Sequence, residues 1–124
     1  MAGSDPWRKA PIDLVARFHE AVAGIDGVEV RKMFGYPAAF IGGNLTAGLY
    51  QESAMVRLSD AEREERMADG WSRFEPMPGR PMREYVALPP EAAADVAAMR
   101  HWIELAAAYV RTLPPKVPKK RKGS

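Results

Sequence analysis

The stretch from Val28 to Leu58 constrains the fold of this chain more than any other part of it. Short runs of apolar and β-branched residues are separated there by Gly-Tyr-Pro at 35–37, Gly-Gly-Asn at 42–44 and Gln-Glu-Ser at 51–53. Such triplets are typical of tight turns, because Gly and Asn tolerate positive φ and Pro fixes its own φ. The pattern predicts an antiparallel meander. Its strands are expected over residues 28–34, 38–41, 45–50 and 54–58.

An amphipathic helix is predicted before the meander. Its apolar residues recur at intervals of three and four, as one face of a helix requires. They are Leu14, Val15, Phe18, Val22 and Ile25. The helix should begin near Pro11, because proline is tolerated in the first turn, and end between Gly24 and Gly27.

A short polar helix should follow the meander. Ser59 is a good N-cap candidate, and Glu62 three residues later completes the pattern of a capping box. The helix is expected to end at Gly70. Since most of its residues are charged, we expect it to be exposed and to pack through Ala61 and Met67.

The longest helix is predicted near the end of the chain. It should open at Pro89-Pro90 and end before Pro114-Pro115, because a residue that precedes proline disfavours helix. One stripe of this helix is apolar, which suits packing on a sheet. The stripe consists of Val96, Met99, Ile103, Ala106, Val110 and Leu113.

Two further strands are expected over 71–75 and 82–88, joined by a proline-rich segment at 76–81. The clustering of strands between helices predicts an α+β fold. We expect an antiparallel sheet of five to six strands with a meander at its core, flanked by an N-terminal helix, a short middle helix and a long C-terminal helix. The 124 residues suffice for one domain, predicted over 11–113 between a flexible N-terminus (1–10) and a tail (114–124).

Composition restricts the class of protein. Without Cys, a disulfide framework or a thiolate metal site is ruled out. The first residues lack the apolar core of a signal peptide, and no later run approaches the roughly 20 apolar residues of a membrane span. We therefore expect a cytoplasmic protein without a membrane partner.

The net charge of +2 conceals an uneven distribution. The tail carries five cations and no acid, so that the rest of the chain has a net charge of −3. These cations are Lys116, Lys119, Lys120, Arg121 and Lys122. A basic segment of this kind can bind nucleic acid without sequence preference, or it can serve only to solubilise the chain.

No residue set amounts to an active site, and we expect neither an enzyme nor a cofactor. His101 and Glu104 share a helix face, but a catalytic zinc needs three protein ligands. Ser53, Ser59 and Ser72 lie in turn or cap contexts outside the frame of a nucleophile elbow.

The sequence resembles the amino-terminal domain of the TfoX/Sxy family of competence regulators. The resemblance rests on RKMFGYPAAFIGGNLTAGLY at 31–50, MVRLS with DAEREERM, FEPMPGRPMREYVALPP at 74–90, and HWIELAAAYVRTLPPK at 101–116. It implies a bacterial α+β domain with a curved antiparallel sheet, present here as a stand-alone domain. It also implies an association with transcriptional control of natural transformation, and it supplies no catalytic residues to transfer.

Three modes of action remain open from the sequence. The first is a non-enzymatic domain that docks a protein partner while the tail attracts nucleic acid. The second is a small anionic-ligand binder, or an enzyme of another kind, that uses a surface where two turns offer aromatics and cations. That surface consists of Met33, Phe34, Tyr36, Arg80, Arg83 and Tyr85. Alternatively, Phe34 and Tyr85 belong to the core and the arginines are solvated. The third is a homodimer formed by strand addition at a sheet edge.

Overall fold

One antiparallel sheet with helices packed on one face forms the body of the molecule. The computed structural model describes residues 10–75, 79 and 82–115. The strands are β1 (Val28–Met33), β2 (Tyr36–Ile41), β3 (Asn44–Tyr50), β4 (Ser53–Arg57), β5 (Ser72–Arg73) and β6 (Tyr85–Ala87). The helices are α1 (Ile12–Val22), α2 (Asp60–Ala68), α3 (Pro90–Ala93) and α4 (Val96–Val110). The strand order in the sheet is β1-β2-β3-β4-β6-β5, which confirms the α+β class and the meander.

The core lies between the sheet and helices α1 and α4. One row of small and branched residues crosses four neighbouring strands at the same register, from Ala39 through Ala47 and Val56 to Val86. All four residues are buried in one cluster with Phe18 of α1 and with α4. The alternation of side chains along each strand puts this row on one face, and the apolar stripes of the two helices cover it.

The predicted stripes of α1 and α4 are confirmed. In α1, Leu14, Phe18 and Val22 are buried, as is Ile25 just beyond the helix. The four central residues of the α4 stripe are also buried. They are Met99, Ile103, Ala106 and Val110. Val15, Val96 and Leu113, which lie at the margins of the stripes, are only partly buried.

The first turn of the meander begins one residue earlier than predicted and is one residue shorter. Phe34 and Gly35 form it, with φ values of 58° and 85°, and Tyr36 and Pro37 already belong to β2. Two successive positive φ angles are the signature of a two-residue type I′ hairpin turn. Pro37 is tolerated in the strand because the ladder between β2 and β3 begins only at Ala38 and Gly48.

The predicted long C-terminal helix is interrupted. The chain forms α3, adopts an extended conformation at Asp95 and then enters α4. The Asp95 carboxylate accepts a hydrogen bond of 2.8 Å from the backbone N–H of Ala98. An N-cap of this kind starts a new helix, which explains why the alanine-rich sequence does not continue as one.

The middle helix α2 is capped as predicted but packs differently. Ser59 Oγ accepts a hydrogen bond of 3.3 Å from the Glu62 N–H. Ala61 and Met67 were expected to face the domain, but both are exposed. The Ser59 cap fixes where the helix begins, and this orientation places Arg63 and Arg66 on the side of α2 that faces the body. The aliphatic part of an arginine side chain can cover apolar surface while its guanidinium remains hydrated.

The two strands predicted after α2 are shorter than expected, because only Ser72–Arg73 and Tyr85–Ala87 join the sheet. Beyond them, the predicted flexible N-terminus, most of the proline-rich segment and the cations of the tail lie outside the described residues.

Candidate functional site

An aromatic row occupies the sheet face that points away from the helices. The rings of Tyr36 and Tyr50 lie 5.3 Å apart, and those of Tyr50 and Phe74 lie 5.7 Å apart. Tyr36 and Phe74 are buried. The row is therefore a fixed part of the structure that presents Tyr50, at its middle, to the surface.

Beside the aromatic row, small residues allow the side chains of neighbouring strands to lie close together on the same sheet face. Gly48 stands between Ala38 of β2 and Met55 of β4. A Cβ atom at Gly48 would lie 3.0 Å from Met55 Cε and 3.2 Å from Ala38 Cβ. These separations are shorter than ordinary carbon contacts, so a larger residue there would force Met55 and Ala38 to shift by a few tenths of an ångström.

A polar cluster lies where β4 and the start of β6 meet. The Arg57 guanidinium binds Glu84 Oε1 through Nη2 at 2.6 Å and through Nε at 2.7 Å. The same guanidinium lies 5.7 Å from the centre of the Tyr85 ring. The Tyr85 hydroxyl donates a hydrogen bond of 3.3 Å to the Leu45 carbonyl. The Arg57 side chain is only 18% exposed, so this ion pair is partly shielded from water.

Burial raises the pKa of the Tyr85 hydroxyl. The positive charge of Arg57 acts in the opposite direction but is the smaller effect. A half-buried phenol favours its neutral form because ionisation would place a charge in a poorly hydrated site. Tyr85 is therefore protonated at neutral pH and acts as a hydrogen-bond donor.

The residues predicted to bind an anionic ligand fall into separate groups. Met33 of β1 pairs directly with Tyr36 of β2, and Phe34 is 62% exposed in the turn between them. Tyr85 lies on β6, with β3 and β4 between it and β2. Arg83 is exposed just before β6, and Arg80 is outside the described residues. Whether Arg80 joins the two groups stays a prediction.

The alternative assignment of two aromatics to the core is wrong for Phe34. Its side chain is largely exposed because the type I′ turn points it away from the sheet. Tyr85 is half-buried, and its ring packs against Arg57. Sequence reasoning missed Arg57, although its place on the polar side of an alternating strand was a signal that could have found it.

Two open clefts lie at the β5 end of the sheet. The larger, of about 420 Å³, is lined by Asp60, Arg63, Glu64, Met67 and Arg73. The smaller, of about 290 Å³, is lined by Tyr50, Gln51, Ser53, Arg73, Phe74, Glu75 and Ala87. Arg73 lines both clefts. Arg63, the other cation of the larger cleft, binds Asp60 and the Leu58 carbonyl.

The parts of the chain that the structure describes hold no group of three or more His, Cys, Asp or Glu side chains able to bind a metal ion. His101 packs edge-on against Trp102, with 4.8 Å between ring centres, and Glu104 pairs with Arg100. The two residues considered as metal ligands therefore have structural partners. Among the same residues, no helix has the length and apolar character needed to cross a membrane.

Most cations of the folded body are bound within the molecule. Ten Arg and Lys side chains fall in the described ranges, and seven of them contact a carboxylate or a backbone carbonyl. These seven are Arg17, Arg31, Arg57, Arg63, Arg66, Arg100 and Arg111. Arg66 makes the richest set, with Glu62 and Glu65 of α2 and the C-cap residue Asp69 around it and the Trp102 ring centre 5.1 Å away.

The start of the tail is attached to the sheet. Asn44 Nδ2 donates a hydrogen bond of 3.1 Å to the Pro114 carbonyl, and Pro115 lies against Gly42 in the turn between β2 and β3. The cations predicted to contact nucleic acid, from Lys116 to Lys122, are outside the described residues. Their attachment point is therefore known, and their contacts stay a prediction.

Comparison with known proteins assigns the family. No curated protein and no solved structure is similar enough to the chain to count as a match. The family model of the TfoX N-terminal domain matches residues 20–109, from the last turn of α1 to the last turn of α4. This match spans the whole sheet and most of the 124 residues, so the chain belongs to the TfoX N-terminal domain family.

Proposed function

We propose that this chain is a non-enzymatic, TfoX-like regulatory domain whose folded body docks a protein partner and whose basic tail attracts nucleic acid. The observation that carries the proposal is the distribution of cations. Within the described body, most arginines are bound to acids or carbonyls of the same molecule. The tail holds five cations within seven residues and no acid.

The folded body and the tail should therefore interact with nucleic acid in opposite ways. A polyphosphate is repelled by a body of net charge −3, whereas a run of Lys and Arg displaces condensed counterions from nucleic acid. Binding of this kind is independent of sequence and sensitive to salt. The tail therefore supplies general affinity, and any specificity has to come from the partner that the body docks.

The basic tail leaves the folded body at a defined position. Pro114 is held by Asn44 beside the turn between β2 and β3. From there, the eight residues to the last cation, Lys122, span at most about 28 Å. Nucleic acid bound by the tail would be held close to the body, which raises its effective concentration at any partner docked there.

Fluorescence anisotropy with a labelled DNA duplex tests the proposal. The tail variant replaces all five cations, from Lys116 to Lys122, by Gln in the full chain. The control variant replaces Lys32, Arg73 and Arg83 by Gln, which removes body cations without touching the seven bound ones. The full chain and the control should bind alike at low salt, and the tail variant should not bind. Equal binding by all three would refute the role of the tail.

A second candidate is the binding of a small anionic ligand at the Tyr36/Arg80 surface. The cleft of about 290 Å³ favours it, because Tyr50 and Phe74 of the aromatic row line this cleft together with Arg73. A thermal-shift screen against nucleotides and anionic metabolites tests it. A stabilising compound whose effect is lost in Arg80→Ala and kept in Lys32→Ala, a cation outside this surface, would support this function, and a screen without any such compound would refute it.

A further inference from the structure

The two edges of the sheet differ in what they offer to another chain. β5 has only two residues, and a short edge strand is a poor template for pairing. β1 has six residues, and its four central ones, Glu29 to Lys32, are exposed. Val30 at its centre is 37% exposed, which is high for an apolar residue in a strand. No described strand follows β1 at this edge.

The turn at Phe34-Gly35 determines which backbone groups of β1 point outwards. In a two-residue hairpin the flanking pair, here Met33 and Tyr36, exchanges hydrogen bonds, and pairs then alternate between bonded and non-bonded. Arg31 and Glu29 accordingly bond to β2, whereas Val30 and Lys32 direct their N–H and C=O groups away from the sheet. Val28 fits this alternation, since its N–H donates to the Ile25 carbonyl at 3.3 Å.

The outward-pointing backbone groups of β1 and the charges of Glu29 and Arg31 favour one arrangement of two identical β1 strands. Antiparallel pairing about a two-fold axis at Val30 makes Val30 and Val30 of the partner subunit a hydrogen-bonded pair. Each Glu29 then faces Arg31 of the partner subunit in a non-bonded pair, where the Cα atoms are about 4.5 Å apart. Both side chains lie on the same sheet face, and within one chain they already approach to 3.6 Å.

We infer that β1 is the dimerisation edge of this protein and that its occupant is the β1 strand of a second copy, centred on Val30. The pairing joins two six-stranded sheets into one continuous sheet. It turns the intrachain contact of Glu29 with Arg31 into two symmetric interchain contacts. A five-residue ladder buries less area than a permanent dimer needs, so the association is weak and reversible. This inference does not depend on the role of the tail.

Sedimentation velocity from about 10 μM to 1 mM tests the inference, since weak dimers form over this range of concentration. The full chain should shift with concentration from one mass of 13.7 kDa to twice that mass. Glu29→Arg and Arg31→Glu should each raise the dimer dissociation constant about tenfold or more, because each replaces two attractive cross-strand pairs by repulsive ones. Ser72→Arg at the β5 edge is the matched control and should have no effect.

Mixing the two charge variants decides the register. In the proposed pairing, Glu29→Arg and Arg31→Glu chains complement each other and should form a heterodimer at least as stable as the unmodified dimer. Val30→Lys, which sets two like charges at the two-fold axis, should abolish the dimer while the far-ultraviolet circular dichroism is unchanged. A full chain that stays monomeric at 1 mM, or a mixture without heterodimer, would overturn the inference.

Discussion

The folded body and the C-terminal tail both contain cations, but only the body also contains acids. Seven cations of the body contact carboxylates or carbonyls, whereas the tail sequence offers no acid to its five. On the function proposed above, the same residue types serve two purposes in one small domain. In the body they hold elements together, and in the tail we propose that they bind phosphate. Substitutions in the two regions should therefore affect different measurements.

The largest effect on stability is expected at Arg57. Its ion pair with Glu84 is partly buried, and Arg57→Ala leaves a carboxylate that is only 43% exposed without its cation. We expect the free energy of unfolding, measured by urea denaturation, to fall by about 2 kcal/mol. Arg83→Ala, at an exposed position nearby, is the control and should change it by less than about 0.5 kcal/mol. An Arg57→Ala protein as stable as this control would contradict the structural role of the pair.

A smaller effect is expected at Arg66, which attaches α2 to the body. The described side chains of α2 include none that is fully buried, and Arg66 is the one that packs over Trp102. Arg66→Ala should lower the free energy of unfolding by about 1 kcal/mol, since the cation–π contact and the contacts with acids are lost together. Arg66→Lys should recover only part of this, because an ammonium cannot stack as a guanidinium does.

The intrinsic fluorescence of Trp71 and Trp102 provides a second measurement for Arg66. Their ring centres lie 4.8 Å apart, and Trp102 faces the guanidinium. The emission maximum should shift in Arg66→Ala and stay unchanged in Glu64→Ala, a control on the exposed side of the same helix. An unchanged spectrum in both variants would place Arg66 outside this contact.

A modest loss of stability at alkaline pH is expected from Tyr85. Its pKa is raised in the folded protein, so the unfolded chain releases the proton first as the pH increases. The contribution is fully present below the unfolded pKa of about 10 and is lost as the pH rises through the higher folded value. Urea denaturation from pH 8 to 11 should show this decline in the full chain and a smaller one in Tyr85→Phe. Parallel declines in the two proteins would show that Tyr85 does not cause it.

The smallest effect on folding is expected from the tail. Replacing its five cations by Gln should leave the free energy of unfolding unchanged within about 0.5 kcal/mol, because Pro114 and Pro115, which contact the sheet, are kept. A larger loss would mean that the tail cations are bound to the acidic body, and the comparison between the two regions would fail.

Periodicity in the sequence was sufficient to predict the core, because apolar spacing reports burial directly. The stripes of α1 and α4 and the meander follow from it. The positions of the helix break at Asp95 and of the first turn were harder to predict, because in each case two local signals compete. Asp95 ends one helix and starts another within an alanine-rich run, where propensity alone favours continuation. The Phe34-Gly35 turn competes with a neighbouring Pro37 that resembles a turn residue equally well.

The polar sites were less accessible from the sequence for a different reason. Arg57 and Glu84 are 27 residues apart, and no local pattern indicates that they meet. Only the pairing of β4 with β6 brings them together. Similarly, the arginines on α2 resemble a solvated surface until the helix phase and Trp102 are known. The charge of the tail needed no structure, since a run of like charges is a property of the sequence itself.

The salt dependence of DNA binding tests the central claim most directly. If the five tail cations carry the affinity, the logarithm of the dissociation constant should rise with the logarithm of salt concentration at a slope of about 4 to 5. Affinity of the full chain should then fall about 10²- to 10³-fold between 50 and 200 mM salt. A slope near zero, or an unchanged slope after the tail is neutralised, would contradict the account.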